Sequence, residues 1–245
     1  MELIKGGIHL SKAFQKTFIC SKCGKPSEIT IWENINVDLN PELKEKVVDG
    51  SLFLTSCPYC SFKQRVENPV LYHDQTRKYV IWWFPRDSNG KQNYTDEEIN
   101  RYIPIISGYK LRIVATLNEL REKIFIFDHE LDDRVIEILK FMVWLEYLET
   151  KGVKPNQIFY SNSPEESNKQ SIEFVYVTPD GGPRWICAQG KNAYARALDI
   201  LLKIKVPTKE TFQWKVIDSS MWSLVQKELG KEIKVEAEKH EVHIA

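Results

Sequence analysis

The sequence predicts an α+β protein, in which a β-rich N-terminal domain containing a zinc ribbon is completed by two or three helices and followed by a smaller C-terminal α/β extension. Three observations lead to this prediction. Short β-forming segments fill the first third of the 245 residues, two Cys-x-x-Cys pairs lie within that third, and helical apolar spacing dominates the middle. With 42% hydrophobic and 28% charged residues, the chain has the composition of a globular protein rather than a disordered one.

The N-terminal third carries several strand signals and one helix signal. Residues 26–33 (PSEITIWE) are rich in β-forming residues and predict a strand. Asn40-Pro41 and Gly50 bound a helix predicted at 41–48, because proline favours the first helical position and glycine the position after the last turn. The other strands predicted here, each between turn signals, cover residues 17–19, 52–55, 62–66, 70–72 and 78–84.

Capping signals mark the helices that follow. Thr116 with Glu119 has the spacing of a capping box and opens a helix to about residue 127. Asp132 and Asp133 open a second helix that runs to about residue 150, and its apolar residues recur on most sides, which predicts extensive burial. Further helices are predicted at 96–101, after a capping box of Thr95 and Glu98, and at 191–205 and 219–229.

The stretch 151–170 (KGVKPNQIFYSNSPEESNKQ) is polar and contains two prolines, so it is predicted to be a long loop or a domain boundary. We therefore expect a zinc-binding domain at 1–150 and a C-terminal extension at 151–245. In the extension, residues 172–177 and 184–188 flank a wide turn with the sequence Thr-Pro-Asp-Gly-Gly-Pro and predict a β-hairpin, which two helices follow.

Two cysteine pairs give the clearest chemical signal. Cys20-Ser-Lys-Cys23-Gly and Cys57-Pro-Tyr-Cys60 are separated by 33 residues, and strand-like residues surround both. Each pair can aim two sulfurs at one ion, so the two pairs supply the four thiolates of a tetrahedral zinc site with Zn–S bonds of about 2.3 Å. We predict that all four cysteines bind one structural Zn²⁺. Four protein ligands leave no position for water or substrate, which disfavours a zinc hydrolase.

Three other states of these cysteines remain open. Disulfides need an oxidising compartment, whereas the absence of a signal-peptide pattern at the N-terminus predicts a cytoplasmic protein with reduced thiols. Cys57-Pro-Tyr-Cys60 is also the tetrapeptide of the glutaredoxin active site, but the residues after it (SFKQRVENPV) lack the helical pattern that such a site requires. Thiolates alone do not exclude an iron–sulfur cluster.

The paired cysteines, the segment PVLYHD (69–74) and the run LNELREKIFIFDHELDDRVIEILK (117–140) resemble the CpXC family. This bacterial and archaeal family is named for two Cys-Pro-x-Cys-type motifs and has no assigned activity. The resemblance covers roughly residues 15–145. Pro58 fits the motif, whereas Ser21 stands where the first motif has proline. The resemblance implies four cysteine ligands, and it implies no substrate.

Histidines outside the cysteine pairs offer further candidates. Tyr72-His73-Asp74 follows the last of the four cysteines closely, matches the family's pattern, and is a candidate functional surface beside the zinc ribbon. The alternative is a strand end closed by an aspartate turn. His240 and His243 could share a metal if helical, but we expect a fraying tail there.

An acidic cluster is formed by His129, Glu130, Asp132 and Asp133. Such a cluster can bind a divalent cation or perform acid–base chemistry, but acids in a first helical turn also stabilise the helix, which is the simpler interpretation. Cys187 lies on a predicted strand between apolar residues, which predicts a buried thiol rather than a nucleophile.

Aromatic residues give the best argument for nucleic acid. Trp32 and the run Trp82-Trp83-Phe84 could form a face on which bases stack, although strand alternation puts only one of the paired tryptophans on each side. The charge argues against nucleic-acid binding, because the 34 Lys and Arg residues of the chain balance 34 Asp and Glu residues. Residues 1–86 carry only 12 Lys and Arg against nine Asp and Glu.

The expected function is therefore a non-enzymatic, zinc-stabilised module that binds another protein. A nucleic-acid-binding zinc ribbon is the first alternative, and an enzyme using His73 with nearby carboxylates is the second. We expect no association with a membrane, since no stretch approaches the roughly 18 apolar residues that span a bilayer.

Overall fold

The computed structural model describes residues 10–91, 94–95, 97, 99, 108–151, 157–161, 172–177, 183–188, 191–204 and 214–230. Within these ranges the chain divides into two compact units. The first unit takes in the described residues of Met1–Ile124 and Glu210–Val216, and the second those of Phe125–Lys209 and Ile217–Ala245. The predicted domain boundary at 150 and 151 stays a prediction.

Strands dominate the first unit, as the sequence predicts. They are β1 (Lys12–Ile19), β2 (Pro26–Asn36), β3 (Leu54–Ser56), β4 (Lys63–Arg65), β5 (Val70–Asp74), β6 (Tyr79–Trp83) and β7 (Lys110–Val114). Five of them form one sheet in the order β1-β2-β5-β6-β7, and β3 and β4 form a separate antiparallel pair. In the large sheet, β1 with β2 and β5 with β6 are antiparallel, whereas β2 with β5 and β6 with β7 are parallel.

The core of this unit lies against the central strands. Along β6 the side chains alternate, and Trp83 is fully buried. Its ring meets that of Phe53 edge-on at 4.9 Å, and its Nε1 donates to the carbonyl of Ala115 at 3.3 Å. Trp82 is half-buried, and its ring lies tilted against that of Phe84 with the centroids 4.5 Å apart. Only one member of the tryptophan pair therefore joins the core, as strand alternation predicts.

Helix α1 (Glu42–Asp49) confirms the helix predicted at 41–48. It ends at Gly50, which has the left-handed φ of 79° that the sequence assigns to glycine after a helix. An added Cβ here would lie 2.5 Å from Nη2 of Arg121, so the end of that flexible side chain would have to move, and the φ remains the main reason for glycine.

The strand predicted at 52–55 is wrong at its start. Residues Ser51–Phe53 form a 3₁₀-helix instead, in which the Phe53 N–H donates to the Gly50 carbonyl, and the Asp49 carboxylate accepts a hydrogen bond from the Ser51 N–H at 2.7 Å. Strand β3 begins only at Leu54.

Helices α2 (Leu117–Asp128) and α3 (Asp133–Lys151) confirm the predicted helical middle. The capping box forms as its spacing predicts: Glu119 N–H donates to the Thr116 hydroxyl at 3.2 Å, and the Glu119 carboxylate accepts from the Thr116 N–H at 3.1 Å. No helix within the described ranges is long and apolar enough to cross a membrane.

The second unit combines helix α3 with a three-stranded antiparallel sheet. Its strands β8 (Gln157–Tyr160), β9 (Ile172–Val177) and β10 (Pro183–Ala188) stand in the order β10-β9-β8. Helix α3 packs against β8 and against α4 (Lys191–Lys203), and helix α5 (222–230) follows a 3₁₀ turn at Ser219–Met221. The predicted hairpin is confirmed, because β9 and β10 pair antiparallel.

Two strands escape the sequence prediction. β8 lies inside the stretch predicted as a loop, where Ile158 and Tyr160 alternate inward over only four residues between polar flanks. β7 is buried and pairs in parallel with β6 along its whole length, a pairing that local sequence does not reveal. The predicted turn between β9 and β10, Gly152, and most of the helix predicted at 96–101 lie outside the described residues.

Candidate metal centre

Each cysteine pair sits in the turn of a β-hairpin. The first pair lies between the end of β1 and the start of β2, and the second between β3 and β4. The sequence places both pairs next to strand-like residues, and the structure turns those residues into two hairpins whose tips meet. Two hairpins that bring their cysteine turns together are the arrangement that the sequence predicts for this region.

The two turns, here called knuckles, have the same backbone pattern. In the first knuckle (20–24), Cys20 N–H donates to the Lys25 carbonyl and Gly24 N–H donates to the Cys20 carbonyl. In the second knuckle (57–61), Cys57 N–H donates to the Phe62 carbonyl and Ser61 N–H to the Cys57 carbonyl. The chain thus builds one turn twice, although the sequences share only the cysteine spacing.

The fifth position of each knuckle is left-handed. Gly24 has φ 68° and Ser61 has φ 57°. Glycine adopts this conformation without strain, whereas serine is strained by its Cβ. The second knuckle therefore carries a cost that the first avoids.

We expect Ser61→Gly to stabilise the metal-loaded protein by about 0.5–1 kcal/mol, because glycine removes the Cβ strain at this φ. Chemical denaturation of the metal-loaded protein measures this change in the free energy of unfolding. The matched substitution Gly24→Ala should destabilise by about 1 kcal/mol, although space around its Cβ is open, since the φ alone is unfavourable. Equal effects of both substitutions would contradict this account.

The four sulfurs converge. Sγ of Cys20 lies 3.7 Å from Sγ of Cys60, Sγ of Cys23 lies 3.6 Å from Sγ of Cys57, and all four lie within 4.8 Å of one another. A tetrahedral zinc site with bonds of about 2.3 Å separates its sulfurs by about 3.8 Å. The cysteines are free rather than joined in disulfides, which would require about 2.0 Å. The four residues therefore fit one ion and could hold it.

The thiols cannot all ionise easily without a cation. A hydrogen bond from the Cys23 backbone to the Cys20 thiol lowers the pKa of Cys20 from 9.0 to about 6. A backbone hydrogen bond from Phe62 lowers the pKa of the Cys60 thiol. Burial and the three nearby sulfurs raise this pKa by more, so that it increases from 9.0 to about 12. Four thiolates this close repel one another, so a positive ion is the natural partner of the cluster.

Contacts between the hairpins support the cluster. The Ser21 hydroxyl donates to the Gln64 side-chain oxygen at 2.8 Å, so the residue that replaces the motif proline joins the first knuckle to strand β4. Sequence reasoning missed this contact, because the partners are 43 residues apart. It also missed two lysine–ring pairs, in which Lys22 lies 5.9 Å from the Phe62 ring and Lys25 lies 4.9 Å from the Tyr59 ring.

The segment Tyr72-His73-Asp74 lies at the end of β5 and is buried, with His73 5% exposed and its ring 5.4 Å from that of Tyr109. The Asp74 carboxylate accepts from the Arg77 N–H at 2.8 Å and lies 3.8 Å from Lys44 Nζ. These are the contacts of a strand end closed by an aspartate turn. A functional role for this segment stays a prediction.

Asp38 closes the same turn from outside. Its carboxylate accepts hydrogen bonds from the Gln75 backbone at 2.5 Å and from the Thr76 backbone and hydroxyl. Burial raises the pKa of this carboxyl, but the hydrogen bonds and the nearby His73 outweigh it and hold the pKa below 3.8. The ionised form of Asp38 therefore stabilises the fold.

We expect Asp38→Asn to destabilise the protein by about 0.5–1 kcal/mol at pH 7, a small value because the carboxylate is largely solvated. A lowered pKa contributes stability above the unfolded pKa, and that stability is lost as the pH falls through the folded value. The difference between the proteins should therefore shrink below about pH 4. Urea unfolding from pH 7 to pH 3 tests it, and a constant difference over that range would contradict it.

The acidic cluster holds its helix start in place. The Asp132 carboxylate accepts from the Arg134 N–H at 2.9 Å and from its guanidinium at 2.6 Å, and the Asp132 N–H donates to the Tyr194 hydroxyl. His129 Nδ1 lies 3.1 Å from the Tyr160 hydroxyl, and Asp133 is buried. These contacts match the helix-capping interpretation. Among the described residues, only the four cysteines form a group suited to a metal ion.

The remaining candidate residues lie wholly or partly outside the described part of the structure. Cys187 is on β10, as predicted, but its side chain is outside the described part of the structure. His240 and His243 also lie outside the described residues.

Comparison with known proteins bears directly on the cysteine motifs. No curated protein and no solved structure matches this chain. A family model described as "CpXC protein" matches residues 18–140, a span that contains both knuckles, the whole β5–β6 hairpin and helix α2, and that amounts to half of the chain. The chain therefore belongs to the CpXC family.

Proposed function

We propose that Cys20, Cys23, Cys57 and Cys60 bind one structural Zn²⁺ and that the protein is a non-enzymatic module that binds another protein. The observation that carries the zinc proposal is the separation of the sulfurs, 3.6 and 3.7 Å across the two knuckles. These distances suit four thiolates on a single ion. A multi-iron cluster would need wider spacing, because several bonds separate its thiolates.

A filled coordination sphere supports a role without catalysis at the metal. All four tetrahedral positions would be protein sulfur, so neither water nor substrate could bind the ion. The redox alternative also loses support, because the second pair is followed by a left-handed Ser61 and by strand β4 rather than by a helix. An enzyme centred on His73 would need that side chain in an open pocket, and it is buried against Tyr109.

Metal content tests the zinc proposal. Protein purified under reducing conditions should contain one equivalent of zinc by elemental analysis and should show no visible absorption from iron. Substituting cobalt should give the intense visible bands of a tetrathiolate site. Less than half an equivalent of any metal, or iron in place of zinc, would overturn it.

Nucleic-acid binding is the second candidate, and one observation favours it. Tyr59 in the second knuckle and Phe62 directly after it are exposed, and they lie beside Lys25 and Lys22, respectively. Filter binding of single-stranded DNA and RNA across a salt series separates the candidates. Affinity that falls steeply with salt supports nucleic acid, and no retention at low salt removes it.

A further inference from the structure

A cleft of about 290 Å³ lies in the first unit, between the two hairpins that carry the cysteines. Its walls are unusual because each is a run of consecutive residues rather than alternate ones. Consecutive residues line a space when a strand presents its edge, whereas a strand face would contribute every second residue. The two runs are 28–32 of β2 and 52–56, which include all of β3, with Val66 and Asn68 at the end.

Both walls are strand edges without a neighbouring strand in the described structure. β2 pairs with β1 on one side, but on the other it pairs with β5 only from Asn34 to Asn36. β3 pairs only with β4 in these ranges. In the described structure, residues 28–32 and β3 thus each present to the same cleft an edge that pairs with no neighbouring strand.

Hydrogen bonds show which backbone groups face the cleft. The Trp32 carbonyl accepts from Asn68 Nδ2 at 2.7 Å, on the side away from β1. Because backbone groups alternate direction along a strand, Thr30 and Glu28 present their N–H and C=O groups to the same side. On the opposite wall, the Phe53 carbonyl accepts a hydrogen bond from the Val66 N–H, so the backbone groups of Phe53 point to β4. Because backbone groups alternate in direction, those of Leu54 and Ser56 point to the cleft.

We propose that this cleft binds an extended segment of a partner protein, which inserts as a strand and pairs with β2 and β3 at once. This inference rests on the proposed function and names the site and the kind of partner for it. An extended polypeptide is the ligand that offers N–H and C=O groups along both of its edges, with neighbouring strands at about 4.8 Å on each side.

The walls also define the side chains that fit. Ile29, Ile31 and Phe53 line the cleft and are buried. Thr30 and Leu54 are exposed on the outer side. The bound segment should therefore carry apolar residues at alternate positions, and the five residues of β2 at the edge limit the paired length to about 17 Å.

The metal centre closes one end of this cleft. The first knuckle leads directly into β2 and the second follows directly after β3, so one ion shared by both knuckles fixes the spacing between the two edges. A structural ion at this place does more than stabilise the fold, because it also sets the width of the binding cleft.

A matched pair of proline substitutions tests the proposal. Thr30→Pro removes an N–H that faces the cleft. Gln15→Pro is the control: Gln15 is the residue opposite Thr30 on β1, so its N–H points to the outer edge of β1. Each variant also loses the same hydrogen bond, from Gln15 Nε2 to the Thr30 hydroxyl, so their other losses match.

The probe is a fluorescein-labelled heptapeptide recovered from a random phage-displayed library by selection on the zinc-loaded full-length chain. We expect recovered sequences with alternating apolar residues. Fluorescence polarisation should show affinity weakened about tenfold by Thr30→Pro and changed less than about twofold by Gln15→Pro. In the unsubstituted protein, which has no folding ambiguity, the peptide should slow amide exchange at Thr30 and Ser56.

Several results would overturn the proposal: no enriched peptide, equal sensitivity to both prolines, protection confined to β1, or a cleft filled by a second copy of the chain with concentration-dependent dimerisation. Zinc content is measured on the same samples. If the protein contains one zinc but binds no peptide, only the cleft proposal is wrong. If the protein contains no zinc, the proposed function itself is wrong.

Discussion

Cys57→Ser should abolish stoichiometric zinc binding and lower the free energy of unfolding of the first unit by more than about 3 kcal/mol. The reason is geometric. Cys57 is buried, its sulfur lies 3.6 Å from that of Cys23, and a serine hydroxyl is a much poorer zinc ligand than a thiolate. The remaining three thiols would then lie close together without an ion to hold them.

Zinc stoichiometry by elemental analysis and urea unfolding with and without a chelator measure this effect. Cys187→Ser is the matched control, since it removes the one cysteine outside the cluster and should leave one zinc per chain. Chelation of the unsubstituted protein should reproduce the loss seen in Cys57→Ser. A Cys57→Ser protein that keeps one tightly bound zinc, or a chelator without effect on stability, would contradict the metal centre.

Trp83→Ala should destabilise the first unit by about 3–5 kcal/mol. Trp83 is fully buried, its ring packs edge-on against Phe53, and its Nε1 donates to the Ala115 carbonyl. Alanine would leave a large cavity in the core and would remove the hydrogen bond to the part-buried Ala115 carbonyl. Phe53 directly precedes β3, so the loss should also loosen one wall of the cleft.

The neighbouring tryptophan supplies the control. Trp82→Ala removes the same side chain from the half-buried face of the same strand and should cost about 1 kcal/mol. Thermal and urea unfolding of both variants give the comparison. Equal losses would show that Trp83 does not have the core role that its burial assigns to it.

Much of the first unit could be predicted because its signals are local. The spacing within each cysteine pair, glycine at position 50 and the capping box of Thr116 with Glu119 each act over a few residues, and each appears in the structure as predicted. The α+β class followed from the same local patterns.

What escaped prediction depends on distant partners. The burial of His73 arises from its place at the end of a central strand, and β7 is recognisable only through its parallel pairing with β6. The Ser21–Gln64 contact and the cleft between β2 and β3 both require the two hairpins to be placed side by side. Periodicity describes a strand, but it does not describe which of its edges stays open.

The two halves of the metal site become available at different times during synthesis. The first hairpin closes through a short turn, whereas its partner thiols lie beyond a 33-residue separation. Closing a loop of that length costs about 3 kcal/mol in chain entropy. An ion would therefore bind after the second hairpin has formed, or remain bound by only two thiolates until then. We expect Cys20 and Cys23 to stay open to oxidation during synthesis until residue 60 has left the ribosome and the second cysteine pair can join them.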